Sequence, residues 1–397
     1  MLSSLNRSAG LAGVFVILLA VASVAPRPTA QSIALCTSVT LVRVPEGGLQ
    51  PQVAVDARGG VHLVYFKGEA ANGDVFYTRL GADGTTFAPA LRVNSQPGSA
   101  IATGNMRGAH LAIGRNGRVH VSWNGSSRAT PRGVADTTPM LYARSNGART
   151  AFDPQRNLAQ FAVDLDGGAI AADEAGHVYV AWHAGIPGAK GEADRRLWVT
   201  RSTDDGTTFA REQFASDAET GACGCCGVGA LADRRGSLYL LYRSAREVTH
   251  RDAYLLTSKN AGVSFTGARL QEWNVGGCPM STFALSEGRA GILAAWETGG
   301  QVQFVRIDAE TQRPLAIVEA PGEVRTRKHP AVAGNARGEV LFVWTEGMAW
   351  QRGGSVVWQI FDREGKPTAE HGRRDGVPVW SLVAAYTRPD GGFTILY

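Results

Sequence analysis

The chain has 397 residues, 44% hydrophobic and 19% charged, enough apolar material for a full-sized core, which excludes intrinsic disorder and a small stapled scaffold. Forty-nine glycines, well above the usual share of about 7%, point to many short strands joined by tight turns, hence an all-β chain. The formal charge of +5 is spread without a dense Lys/Arg stripe interleaved with aromatics, which argues against nucleic acid as a partner.

From the N-terminus, Arg7 in a short polar start precedes the apolar run Leu11–Val24 and then small residues and prolines through Ala30. This pattern reads as a cleavable secretory signal over 1–30, followed by one domain over 31–397. The apolar run is shorter than the ~20 residues of a spanning helix, and no later segment is apolar enough, so no membrane span remains once the signal is removed. Cys36 follows a bulky Leu35, which disfavours a lipid anchor. The expected location is secreted or periplasmic, and the expected state is a monomer. Removing 1–30, with two arginines and no acid, leaves a formal charge of +3.

One phrase then recurs seven times: a small apolar strand, a polar turn containing Gly, and an apolar strand ending in an aromatic ring. The first copies are QVAVDARGGVHLVY, HLAIGRNGRVHVSW and AIAADEAGHVYVAW, and the closing aromatics are Tyr65, Trp123, Trp182, Tyr242, Trp296, Trp344 and Tyr397. A third strand (MLYARS, LWVTRS, AYLLTS) and a weaker fourth follow most copies. Four-stranded units at this spacing predict a six- or seven-bladed β-propeller, seven being favoured, with the aromatics as core packing. The chain ends on the second strand of its last unit, while TSVTLVRV at 37–44 stands alone. Closure of the last blade by that N-terminal strand would remove the open sheet edge.

The turn between third and fourth strands carries a resemblance. Ser202-Thr203-Asp204-Asp205-Gly206-Thr207-Thr208-Phe209 matches the Asp-box of the sialidase (BNR repeat) superfamily, and Ser258-Lys259-Asn260-Ala261-Gly262-Val263-Ser264-Phe265 is a near copy with Asn for Asp. Degenerate versions end at Phe87 and Phe152. The box is a turn device: Asp204 or Asn260 caps backbone N–H groups beside Ser202 or Ser258, Gly206 or Gly262 permits positive φ, and Phe209 or Phe265 packs beneath.

The resemblance covers essentially the whole chain after the signal, and it implies a propeller that hydrolyses terminal sialic acids with three arginines, an acid/base Asp and a Tyr nucleophile supported by Glu. The chain departs from that set. Leu49-Gln50-Pro51 stands where the first arginine should precede a proline, Arg43-Val44-Pro45 lies about eight residues too early, and Trp380-Ser381-Leu382 stands where the nucleophilic tyrosine should be.

Alignment of the hairpins gives two columns. Leu49, Arg107, Asp166, Cys226, Met280, Lys328 and Ser381 precede the inner strands; Phe66, Asn124, His183, Arg243, Glu297 and Thr345 follow the closing aromatics. Both should ring one mouth of the channel, the default binding site. Arg107, Arg243 and Lys328 could hold a carboxylate or other anion, Asp166 and Glu297 could act as acid and base, and His183 could carry a proton. The reading is therefore an exported propeller that binds a glycan or other small anionic ligand. The alternative is a glycoside hydrolase of sialidase type with non-standard catalytic residues. His110, His120 and His329 read as core or rim residues, since no second ligand falls at metal spacing beside them.

Cysteines supply a third reading. Cys223-Gly224-Cys225-Cys226 approaches one blade and Cys278-Pro279-Met280 the next. In a secreted chain a disulfide is favoured, most simply Cys278 with Cys223 or Cys226. The alternative is a soft-metal or redox site, copper(I) with the Met280 thioether or zinc without it; otherwise no cofactor is expected. Cys223, Cys225, Cys226, Arg243, Arg251, Asp252, Cys278, Pro279 and Met280 together resemble a subset of uncharacterised bacterial secreted sialidase-like proteins, and that resemblance implies no settled activity.

Overall fold

A computed structural model describes residues 39–397 apart from 82, 289, 290 and 324. The expected signal segment and Cys36 lie outside the described residues. Among those residues no helix is long and apolar enough to cross a membrane.

Seven sheets follow one another along the chain: blade 1 (49–92), blade 2 (110–157), blade 3 (163–214), blade 4 (229–271), blade 5 (284–319), blade 6 (327–377) and blade 7 (384–396). The first six are four-stranded antiparallel meanders in sequence order. Blade 7 has a hairpin of its own, and Val39–Val42 completes it by pairing in parallel with Phe393–Leu396. The seven-bladed, N-terminally closed propeller expected from the repeats is the fold found.

The closing aromatics Tyr65, Trp123, Trp182, Tyr242, Trp296, Trp344 and Tyr397 are all buried. Apolar clusters join neighbouring sheets: Trp123 and Val121 of blade 2 pack with Phe66 and Tyr77 of blade 1, and Tyr242 of blade 4 packs with Ala181 and Val199 of blade 3. Alternation along each strand sends one row of side chains to each neighbouring sheet, so both faces of a blade are apolar.

The two ends of the strands differ in chemistry. At the end bearing the first hairpin turns, Ser202 Oγ accepts the Gly206 N–H at 2.9 Å and Asp204 accepts the Thr208 N–H at 2.8 Å. Ser258 and Asn260 do the same for Gly262 and Ser264, at 2.9 and 3.0 Å. Gly206 has φ +72° and lies where a Cβ would overlap the Tyr142 hydroxyl of blade 2, and Phe209 packs edge-on against the same ring at 4.9 Å. These two turns fasten blades 3 and 4 to the blades before them, away from the opposite end, where the blade-to-blade connections and second-to-third-strand loops gather.

Candidate functional site at the propeller mouth

Cross-strand register brings the two sequence columns together. Leu49 pairs with Phe66, Asp166 with His183 and Lys328 with Thr345. Directly after each of these pairs the inner strand carries one extra residue, with Gln50, Gly167 and His329 at φ +53°, +59° and +51°. A bulge of this kind bends the strand and re-aims the side chain before it. Leu49 stands where the resemblance called for arginine, and the next residue, Gln50, is a brace: its N–H donates to Ser381 Oγ at 3.1 Å, and its amide donates to the carbonyls of Ala102 and Trp380 at 2.6 and 2.8 Å. A neutral brace thus ties the first blade to the last.

Between blades 2 and 3, Arg107 grips Asp166 through Nε and Nη2, both at 2.7 Å. The arginine side chain is 35% exposed and the carboxylate 10%. Behind Asp166, His183 is buried, with Nε2 2.7 Å from the Cys226 carbonyl and Nδ1 3.3 Å from Arg195 Nη2. A carbonyl only accepts, so Nε2 carries the proton and Nδ1 receives from Arg195. Burial, with the Arg195 charge beside it, pulls His183 down to about 4, so the imidazole is neutral at neutral pH and bridges blade 3 to the cysteine loop.

In blade 4, Arg243 is 1% exposed. Its Nη1 donates to the Arg251 carbonyl at 2.6 Å, its Nη2 to the Glu297 carbonyl, and its plane lies 4.8 Å from the Trp273 ring. Arg243, expected among the ligand cations, is enclosed by the fold as a strut between blades 4 and 5. Arg251, also buried, pairs with Glu192 at 2.5 Å, and Glu192 Oε1 accepts the Gly224 N–H at 2.5 Å. Glu192 and Arg195, in the blade 3 loop, have no periodic signal that singles them out.

The cysteines pair differently from the expectation. Cys225, not Cys223 or Cys226, is bonded to Cys278. Cys223 and Cys226 are turned inward, each 1% exposed, among Tyr239, Leu241 and Phe283. Cys225 sits on the outer side of the turn opposite the exposed Cys278. The free sulfurs of Cys223 and Cys226 lie 3.1 Å apart.

At blades 5 and 6, Glu297 is 1% exposed; Oε1 accepts the Gly300 N–H at 2.7 Å, while Oε2 has no hydrogen-bond partner. Lys328 Nζ lies 4.0 Å from that oxygen and donates to the Pro279 carbonyl at 2.6 Å. Met280, one residue on, takes φ +48°. Trp350, in the second-to-third-strand loop of blade 6, is 58% exposed. Its ring meets that of Trp380, in the blade 6 to blade 7 connection, edge-on at 4.6 Å. Trp380 thus stands at the nucleophile position of the resemblance as part of an aromatic platform.

No family model matches the chain, and no curated protein does. Among solved structures, an ulvan lyase of polysaccharide lyase family PL25 is similar at 13% identity, with 88% of this chain and 87% of that one covered and a TM-score of 0.53. A Hadza microbial sialidase is similar at 11% identity, with 83% and 74% covered and a TM-score of 0.49. What the chain shares with the ulvan lyase is the fold, a β-propeller.

Proposed function

We propose that the chain is an exported propeller that binds an acidic glycan at its mouth, over blades 6, 7 and 1. The observation that carries this reading is the exposed Trp350 ring set edge-on against the half-buried Trp380, in connections at the same end of the blades as Lys328. An exposed aromatic ring offers flat apolar area to the C–H face of a sugar, and a neighbouring ammonium selects a carboxylate or sulfate on it. The Cys225–Cys278 disulfide suits an oxidising compartment. The ulvan lyase with this fold was solved with -[GlcA(1-4)Rha3S]- bound, an anionic saccharide.

Tryptophan fluorescence during titration with uronate- and sialate-containing oligosaccharides tests the reading. A saturable change is expected, weakened at least tenfold by Trp350→Ala and, for acidic but not neutral saccharides, by Lys328→Ala. Equal binding by wild type and Trp350→Ala would remove the basis of the proposal.

A second reading, hydrolysis at the same mouth, has one observation in its favour. Glu297 keeps an unpartnered carboxylate oxygen 4.0 Å from Lys328 Nζ, a geometry available to a general base. Turnover of a bound saccharide that Glu297→Gln abolishes while binding persists would select hydrolysis over binding alone.

A further inference from the structure

Among the described residues the disulfide leaves over two thiols, which have no part in the saccharide reading and whose surroundings are specific. Cys223 and Cys226 sit three residues apart in a loop held by several bonds. The Cys223 N–H donates to the Arg243 carbonyl at 2.9 Å, the Gly227 N–H to the Ser281 carbonyl at 2.9 Å, and the Gly224 N–H to Glu192. Their sulfurs are 3.1 Å apart, and the Cys225 sulfur is 3.4 Å from that of Cys223. The sulfurs of Cys223, Cys225 and Cys226 form a group within 4.8 Å of one another, and no histidine or carboxylate joins it among the described residues.

Positive charge surrounds this sulfur group. The Arg243 guanidinium favours the Cys226 thiolate, and Arg195 and Arg251 both feel the charge of Cys223. Arg251 is 3% exposed, and its Nε and Nη1 have no hydrogen-bond partner; Arg195 Nε and Arg243 Nε have none either.

We propose that Cys223 and Cys226 form a buried two-thiolate site for a soft monovalent metal ion of the copper(I) class. A donor set of sulfur alone selects a soft ion, and two free thiols satisfy copper(I), whereas structural zinc takes four ligands. Loading replaces two thiol protons by one Cu(I), with no change in oxidation state and with both protons released to solvent. The resulting complex carries one net negative charge, which the arginines around it offset. The sulfurs part to admit the ion, and the Cys225–Cys278 disulfide is left intact.

The test uses the full chain carrying Cys36→Ser, so that Cys223 and Cys226 are the only thiols beside the disulfide. It is titrated anaerobically with Cu(I) against a chromophoric Cu(I) chelator, after alkylation of an unfolded sample has counted two free thiols. One equivalent of Cu(I) should be withheld from the chelator, with a near-ultraviolet thiolate-to-copper band. Cys223→Ser and Cys226→Ser should each lose both signals while keeping the wild-type melting profile. Adding Cys225→Ser with Cys278→Ser should leave both signals in place. No retention of Cu(I) by the two-thiol protein, a thiol count of zero, or retention that survives the paired Cys223→Ser and Cys226→Ser change would overturn the proposal. Because oligosaccharide binding is read separately, failure here leaves the saccharide reading standing.

Discussion

Arg107 and Asp166 face each other across the junction of blades 2 and 3 in a two-pronged ion pair, one partner a third exposed and the other nearly enclosed. The pair is asymmetric in what its loss would cost. Arg107→Ala strands a mostly buried carboxylate, while Asp166→Asn frees a cation that water can still reach. Arg107→Ala is expected to lower stability by ~1–3 kcal/mol in a denaturant titration, more than Asp166→Asn does. Asp166→Asn should in turn tighten binding of an acidic oligosaccharide, because Arg107 no longer spends its charge internally. Unchanged affinity in Asp166→Asn would place Arg107 outside the ligand's reach.

Acid should weaken the fold well before carboxylates titrate. Burial holds His183 near 4 and His329 near 3, against an ordinary value of 6.5. Between those values the unfolded chain binds protons that the folded chain refuses, so each histidine's stabilisation is complete above 6.5 and is lost as pH falls toward 4 for His183 and toward 3 for His329. The slope is about 1.4 kcal/mol per pH unit for each such group. Melting temperature measured from pH 7.5 to 4.5 should fall, and His183→Gln, which can still donate to the Cys226 carbonyl, should flatten the fall. Parallel curves for wild type and His183→Gln would assign the acid sensitivity elsewhere.

Reduction of Cys225–Cys278, or Cys278→Ser, removes a cross-link between residues 53 apart in sequence. A loop of that size contributes about 2–4 kcal/mol through the unfolded chain, and a drop of that order in urea stability is expected. Calorimetry of oxidised and reduced samples should show one transition displaced to lower temperature.

At the opposite end of the propeller, Gly206→Ala should cost ~2 kcal/mol or more, since the position has φ +72° and a methyl group would collide with Tyr142. Gly236→Ala, at φ +83° with nothing near its Cβ position, isolates the backbone cost alone. The difference between the two variants measures the collision.

The propeller was legible because its cause is periodic. Seven aromatics, from Tyr65 to Tyr397, close seven hairpins, and no other residue type has to be recognised for the blades to be counted. The mouth columns were legible for the same reason: Asp166 and His183, or Lys328 and Thr345, face each other across a hairpin of fixed register. What the spacing does not carry is direction. The residue inserted at Gln50 or His329 turns the strand, and nothing in its side chain announces a left-handed backbone. Cys225 and Cys226 are adjacent in sequence and point to opposite sides of one turn, so proximity along the chain could not select the partner of Cys278. Trp350 lies in a loop with no repeat, where exposure is decided by the connection opposite it.

Parallel pairing of Val39–Val42 with Phe393–Leu396, with Tyr397 exchanging backbone bonds with Val42 and Val44 at 3.2 and 3.1 Å, places the longest-range contacts of the chain at its seam. Contacts between such distant partners form slowly, because the entropy of closing the intervening chain is lost before they reward it. Six blades can assemble by adding neighbours, yet the ring stays open until residue 396 has been made. The interval between those events is when blades 1 and 6 present uncovered apolar faces and the molecule is most exposed to proteases and self-association.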